Sequence, residues 1–113
     1  MNDETPLQQE ILKALSKIPG VLAWRQNVGY ARGLRTKSVF KLGPPDGASD
    51  IVCIAWGRPF LIEVKTGDNG QSPQQRNFQA QAEKAGATYF VARSVEDALE
   101  GIGAAAPSAG EGK

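Results

Sequence analysis

The stretch Phe60-Leu61-Ile62-Glu63-Val64-Lys65 sets an acid and a base inside a run that otherwise reads as a buried strand. Residues two apart on a strand share a face, so Glu63 and Lys65 point the same way. By itself such a pair is an ordinary surface ion pair of little energetic weight. Asp50 changes its meaning. Two adjacent apolar runs, Asp50 to Trp56 and Arg58 to Lys65, meet around Gly57, and a hairpin pivoting on Trp56-Gly57 makes the numbers of opposed residues sum to 113. That register stands Asp50 opposite Glu63, with the two carboxylates about 5 Å apart and a lysine one step on. Like charges that close repel unless a cation lies between them.

The composition decides which cation. The chain has no histidine, which excludes imidazole general bases, Ser-His-Asp and Cys-His arrangements and His-ligated zinc. Its one cysteine, Cys53, can form neither an internal disulfide nor a thiolate cage and reads as a small buried hydrophobe. Oxygen is the donor left, and it suits Mg²⁺, Mn²⁺ or Ca²⁺ held by Asp50, Glu63 and the main-chain carbonyl of Val64. The other reading of these residues is a partly exposed sheet edge at which Asp50 merely begins a strand.

Charge is distributed unevenly. From Ile11 to Pro45 the chain carries Lys13, Lys17, Arg25, Arg32, Arg35, Lys37 and Lys41 and no acid, although the whole protein is balanced at +1. A local cationic excess of this kind is the footprint of contact with a phosphate backbone, or else a solvated basic loop. No apolar run approaches the roughly 20 residues of a membrane span, and the amino end is acidic where a secretory leader is basic, so the cytoplasm is the expected compartment.

The elements that must position these groups are legible in outline. The 113 residues, 41% apolar and 22% charged, suit one globular domain. Thr5-Pro6-Leu7-Gln8 reads as a capping box opening a helix along Leu7, Ile11, Leu15 and Ile18, which Pro19-Gly20 ends. Val21 to Gln26 is a strand. Gly29 to Lys37 reads as a mobile basic loop, Ser38 to Leu42 as a short strand and Gly43 to Gly47 as a turn. After the two apolar runs, expected to be covered on both faces, Ser72-Pro73-Gln74-Gln75 repeats the capping grammar ahead of Phe78, Ala82 and Ala85. Thr88 to Ala92 is a further strand, returning parallel after the crossover, and Ser94 caps a last helix through Ile102. Residues 1–102 form the expected domain and 103–113 a frayed tail. The fold class is α/β, a mixed sheet of four to five strands flanked by helices. Arg76, Lys84 and Arg93 read as surface charges, Trp24 and Tyr89 as core, and Trp56 as an exposed hairpin tip.

Gly47-Ala48-Ser49-Asp50-Ile51-Val52, Glu63-Val64-Lys65, Ser72-Pro73-Gln74-Gln75 and Arg25-Gln26-Asn27-Val28-Gly29, in this order and spacing, resemble the VRR-NUC (virus-type replication-repair nuclease) family of the PD-(D/E)xK, restriction-endonuclease-like superfamily. The likeness runs from about Glu4 to Ile102. It implies a restriction-endonuclease-like core of αβββαβ order and a Mg²⁺- or Mn²⁺-dependent DNA endonuclease. Asp50 and Glu63 match the motif's metal ligands, Lys65 its lysine and Gln75 its helix glutamine. Ser49 stands where the motif usually has proline, and Pro45-Asp46 mimics it four residues early, in a turn where Asp46 would not oppose Glu63. The family's helix-one acid falls on Glu4, a further metal-ligand candidate, with Glu10 the competitor.

For hydrolysis of a phosphodiester, Lys65 would orient water or steady developing negative charge, and Gln75 would position water or substrate or simply cap its helix. Arg25, Arg32, Arg35 and Lys37 are the candidate phosphate contacts. The resemblance points to branched DNA such as Holliday junctions and to a phage or bacterial source. Two symmetric nicks in a junction need two sites, hence an expected homodimer, for which Trp56, Tyr30, Leu34 and Phe40 are candidate apolar contacts. A non-cleaving DNA-binding module of the same fold, a nuclease on flaps, nicks or plain duplex, and a small interaction protein remain open alternatives.

Overall fold

The computed structural model describes residues 4–26, 29–32, 39–42, 44–45 and 47–103, and the side chains of all of these except 29–32 and 39–42. Helix α1 (Thr5–Ser16) leads into strands β1 (Val21–Arg25), β2 (Gly29–Arg32), β3 (Val39–Leu42), β4 (Ile51–Ala55) and β5 (Arg58–Val64); helix α2 (Pro73–Lys84), strand β6 (Thr88–Ala92) and helix α3 (Val95–Gly103) follow. Four strands form one mixed sheet in the order β1-β4-β5-β6, antiparallel except for the β5/β6 pair, which the α2 crossover makes parallel. The protein is α/β, with a four-stranded mixed sheet flanked by helices.

The β4/β5 turn takes the form its residues demand. Trp56 (φ 53°) and Gly57 (φ 78°) both adopt the left-handed region, the pattern of a two-residue turn whose twist matches its strands. Ala55 pairs with Arg58 and Ile51 with Ile62, so the expected register holds along the whole ladder. Gly57 carries this conformation without strain, whereas Trp56 adopts it despite its side chain.

Alternation along the strands sorts the sheet into two unlike faces. Ile51, Cys53 and Ala55 of β4 and Phe60, Ile62 and Val64 of β5 are fully buried, packed with Ile11 and Leu15 of α1 and Ala98 and Ile102 of α3. The opposite face carries Leu61, Glu63 and Tyr89 beneath α2, whose Phe78 ring lies 6.1 Å from that of Tyr89. Toward β1 this second face is bare: Leu22, Trp24 and Ile54 are 61%, 42% and 40% exposed. Two expectations are corrected here. β4 is covered on one face only, because α2 packs against β6 and does not extend across to β1, and Trp24 for the same reason is not a core residue.

Three further expectations change. Gly29 to Arg32, read as loop, is a strand, because it pairs in antiparallel register with β3, Gly29 with Leu42 and Arg32 with Val39. The β2/β3 ribbon stands as its own two-stranded sheet, so the short strand ending at Leu42 does not join the main one. The capping box at Thr5 does not form: α1 starts one residue earlier than that pattern requires, Glu4 is its N-cap with no side-chain cap bond, and Gln8 Oε1 is buried without a partner. Glu4 is engaged across the structure instead. At α2 the predicted box is complete, with Ser72 Oγ accepting from Gln75 N (3.1 Å) and Gln75 Oε1 accepting from Ser72 N (2.8 Å). Among the described residues no helix is long and apolar enough to cross a membrane. Residues 104–113 of the expected tail, together with Asn27, Val28, Leu34, Arg35, Lys37 and Asp46, lie outside the described residues, as do the side chains of Tyr30, Arg32 and Phe40.

Candidate active site

Strand ends bring the acids together. The β4/β5 ladder closes at Ile51 and Ile62, so Asp50 and Glu63 are the next opposed positions beyond it. Asp50 is held on both sides: its carbonyl accepts from Gln26 N (2.8 Å), and its Oδ2 accepts from Val64 N (2.8 Å). Its carboxylate is thereby pinned across the end of β5, beside Glu63.

Glu63 is 3% exposed. Gln75 Nε2 donates to its Oε2 at 2.9 Å, and Lys65 Nζ stands 4.0 Å from the same oxygen, while Oε1 is buried with no hydrogen-bond partner. Burial and then the Asp50 carboxylate push Glu63 up to about 8; Glu4 adds to the rise and Lys65 opposes it. A buried carboxylate with one orphaned oxygen and acidic neighbours is an arrangement that costs stability until a positive charge shares it.

Gln75 serves two ends at once. Its Oε1 closes the capping box of α2, which turns its Nε2 inward to Glu63. Gly47 sets how near that helix comes. With φ at +79°, it lies so close to α2 that an added Cβ would collide with the Gln74 carbonyl and stand 2.9 Å from Gln75 N. The turn before Asp50 and the first turn of α2 are therefore in contact through backbone alone, a closeness only glycine permits.

Of the two helix-one candidates, Glu4 is the one placed beside the end of β5. Its Oε2 accepts from Thr66 N (3.3 Å), directly after Lys65, whereas Glu10 is exposed. The connection from β5 to α2 is held from its far side as well: Arg93 donates to Gly67 O (2.7 Å) and Asn69 O (2.6 Å), and Arg76 to Gln71 O (2.8 Å). Both arginines are exposed, as expected of surface charges, but their bonds to this connection and the close approach at Gly47 are what the spacing of motifs gave no means of finding. Tyr89 is buried as expected, 5% exposed, with its hydroxyl making no hydrogen bond. Burial raises its pKa, the charges of Glu63 and Asp50 add to that, and Gln71 beside it opposes. Cys53 is fully buried, and burial pushes its thiol to about 11, which makes it inert. Arg25 is exposed at the end of β1, whereas the rest of the predicted phosphate contacts are beyond the described side chains.

The donor set fits a hard divalent cation. Its side-chain atoms are carboxylate oxygens, one of them buried and unpaired, and with both acids ionised the pair would carry more negative charge than Lys65 alone offsets. Among the described residues no group of three or more His, Cys, Asp or Glu side chains forms a metal cluster. Two carboxylates with main-chain oxygen and water are, however, a sufficient seat for Mg²⁺, which keeps much of its hydration shell. In comparisons with known proteins, no family model, curated protein or solved structure matches the chain.

Proposed function

We propose that this protein is a Mg²⁺- or Mn²⁺-dependent endonuclease that hydrolyses DNA phosphodiester bonds, with a restriction-endonuclease-like core of the VRR-NUC kind. The observation that carries the reading is the buried Glu63 carboxylate, one oxygen orphaned, set beside Asp50 at the end of a strand that delivers Lys65 two residues on. Asp50, Glu63 and the Val64 carbonyl would hold the divalent cation, which would supply Lewis acidity toward the phosphate and toward water. The chain's own residues do the rest. Lys65 orients water or steadies negative charge developing on the phosphate. Gln75 keeps Glu63 Oε2 in place. Arg25 and the basic segment containing Arg32, Arg35 and Lys37 contact the flanking backbone, and such contacts position DNA without reading its sequence.

We extend the proposal to branched DNA, such as a Holliday junction, cut by a homodimer in the cytoplasm of a bacterium or a phage-infected cell. One site makes one nick, and a twofold axis provides the second without further sequence. Exposed Leu22, Trp24, Ile54 and Trp56 offer the apolar surface such a pair needs. Sedimentation without DNA tests the pairing: a particle of 12.0 kDa that still cuts both strands in one binding event contradicts it. For the chemistry, Asp50→Asn and Lys65→Ala are expected to abolish cutting while leaving DNA binding largely intact. Loss of binding in step with cutting, or cutting that survives, overturns the assignment.

A further inference from the structure

We infer that Arg93 is a positioning residue, whose guanidinium clamps the β5/α2 connection so that Lys65 and Gln75 meet Glu63 in fixed geometry. The inference rests on the nuclease reading and deepens it.

The connection has to do two things. It leaves β5 at Lys65, whose backbone N–H donates to Ala92 O (3.1 Å), and it enters α2 through Ser72, whose capping box orients Gln75. The five residues between Lys65 and Gln71 include Gly67 and Gly70 and form no helix or strand. Such a segment has no regular ladder of its own to hold it. Arg93 provides one from outside. It follows directly after β6, and its two terminal nitrogens reach separate carbonyls, Gly67 O at 2.7 Å and Asn69 O at 2.6 Å. The base of the side chain is fixed too, because Arg93 N donates to Asp97 Oδ2 (2.8 Å) in the first turn of α3. On the far side of the connection Thr66 N is held by Glu4.

Arg93 is exposed and forms no ion pair among the described residues, and the protein groups its guanidinium meets are main-chain oxygens. A planar fork can bridge two carbonyls at once in a way that a single ammonium cannot. The path from clamp to chemistry is short: Gly67 is two residues from Lys65, and Lys65 Nζ is 4.0 Å from Glu63 Oε2. A shift of the order of 1 Å in a group of this kind can lower a rate about 100-fold.

Single-turnover cleavage of labelled DNA by the full chain at saturating Mg²⁺ tests this, alongside the DNA dissociation constant and the melting temperature. Arg93→Ala is expected to cut about 10- to 100-fold more slowly with DNA affinity changed by less than about twofold. Arg93→Lys keeps the charge and loses the fork, so it is expected to behave like Arg93→Ala. Ile102→Val trims the core of α3 away from the connection and serves as the control for stability, with a lowered melting temperature and an unchanged rate. Three results overturn the inference: a wild-type rate in Arg93→Ala, rescue by Arg93→Lys, which would make Arg93 a charge contact to phosphate, or an equal slowing in Ile102→Val. Wild-type protein that cuts no DNA overturns the nuclease reading itself, which separates the two failures.

Discussion

Replacing Glu63 by glutamine should make the metal-free protein more stable, and by an amount that depends on pH. Folded Glu63 holds its proton up to about 8, against an ordinary value of 4.5. Between those values the folded state binds more protons than the unfolded one, so wild-type stability falls as pH rises. The penalty is absent below about 4.5, grows through neutrality and levels off above about 8. At 1.36 kcal/mol per pH unit the whole interval corresponds to about 5 kcal/mol, a large part of the 5–15 kcal/mol that holds a domain together. Glutamine is uncharged, and its amide keeps an oxygen for Gln75 Nε2 and gains a donor on the side of Asp50. Urea unfolding in a chelator at several pH values measures the difference. Glu63→Gln and wild type should lie within about 1 kcal/mol of each other at pH 5, with the gap widening by about 3–4 kcal/mol by pH 8. Excess Mg²⁺ at pH 8 should close much of that gap by stabilising the wild type alone. Parallel stability curves for the two proteins, or equal stabilisation of both by Mg²⁺, would refute the reasoning.

Gly47→Ala adds a Cβ against the Gln74 carbonyl at a positive φ, and is expected to cost about 2 kcal/mol or more and to slow cleavage as Gln75 moves off Glu63, read by urea midpoint and single-turnover rate. Arg32→Ala combined with Arg35→Ala should weaken binding to all DNA sequences alike and reduce the slope of log affinity against log salt by about 0.9 for each phosphate that is no longer neutralised. An unchanged slope takes that segment out of the interface.

What the sequence disclosed of this site follows from how local the signals were. The Asp50/Glu63 alignment could be worked out from residue numbers alone, because the two-residue turn at Trp56-Gly57 leaves one register for the strands it joins. The capping box at Ser72 and the inward turn of Gln75 are likewise short-range. Thr5-Pro6-Leu7-Gln8 shows where such grammar fails: the same pattern lost to a tertiary contact, since the acid before it is bound to Thr66. Arg93 was unreadable for a related reason. Its partners lie 26 and 24 residues away and are backbone carbonyls, which leave no mark on the sequence. Trp24 misled because an apolar side chain on a strand signals burial, while among the described residues no helix lies above the half of the sheet it sits on.

The most direct measurement of the central claim is incubation of the purified protein with an end-labelled four-way DNA junction, in Mg²⁺ and in chelator, with Asp50→Asn run alongside. Cleavage products are expected for wild type in Mg²⁺, none in chelator and none from Asp50→Asn under either condition. Absence of any metal-dependent product on junction, flap, nicked and duplex DNA alike, or equal cutting by Asp50→Asn, would contradict it.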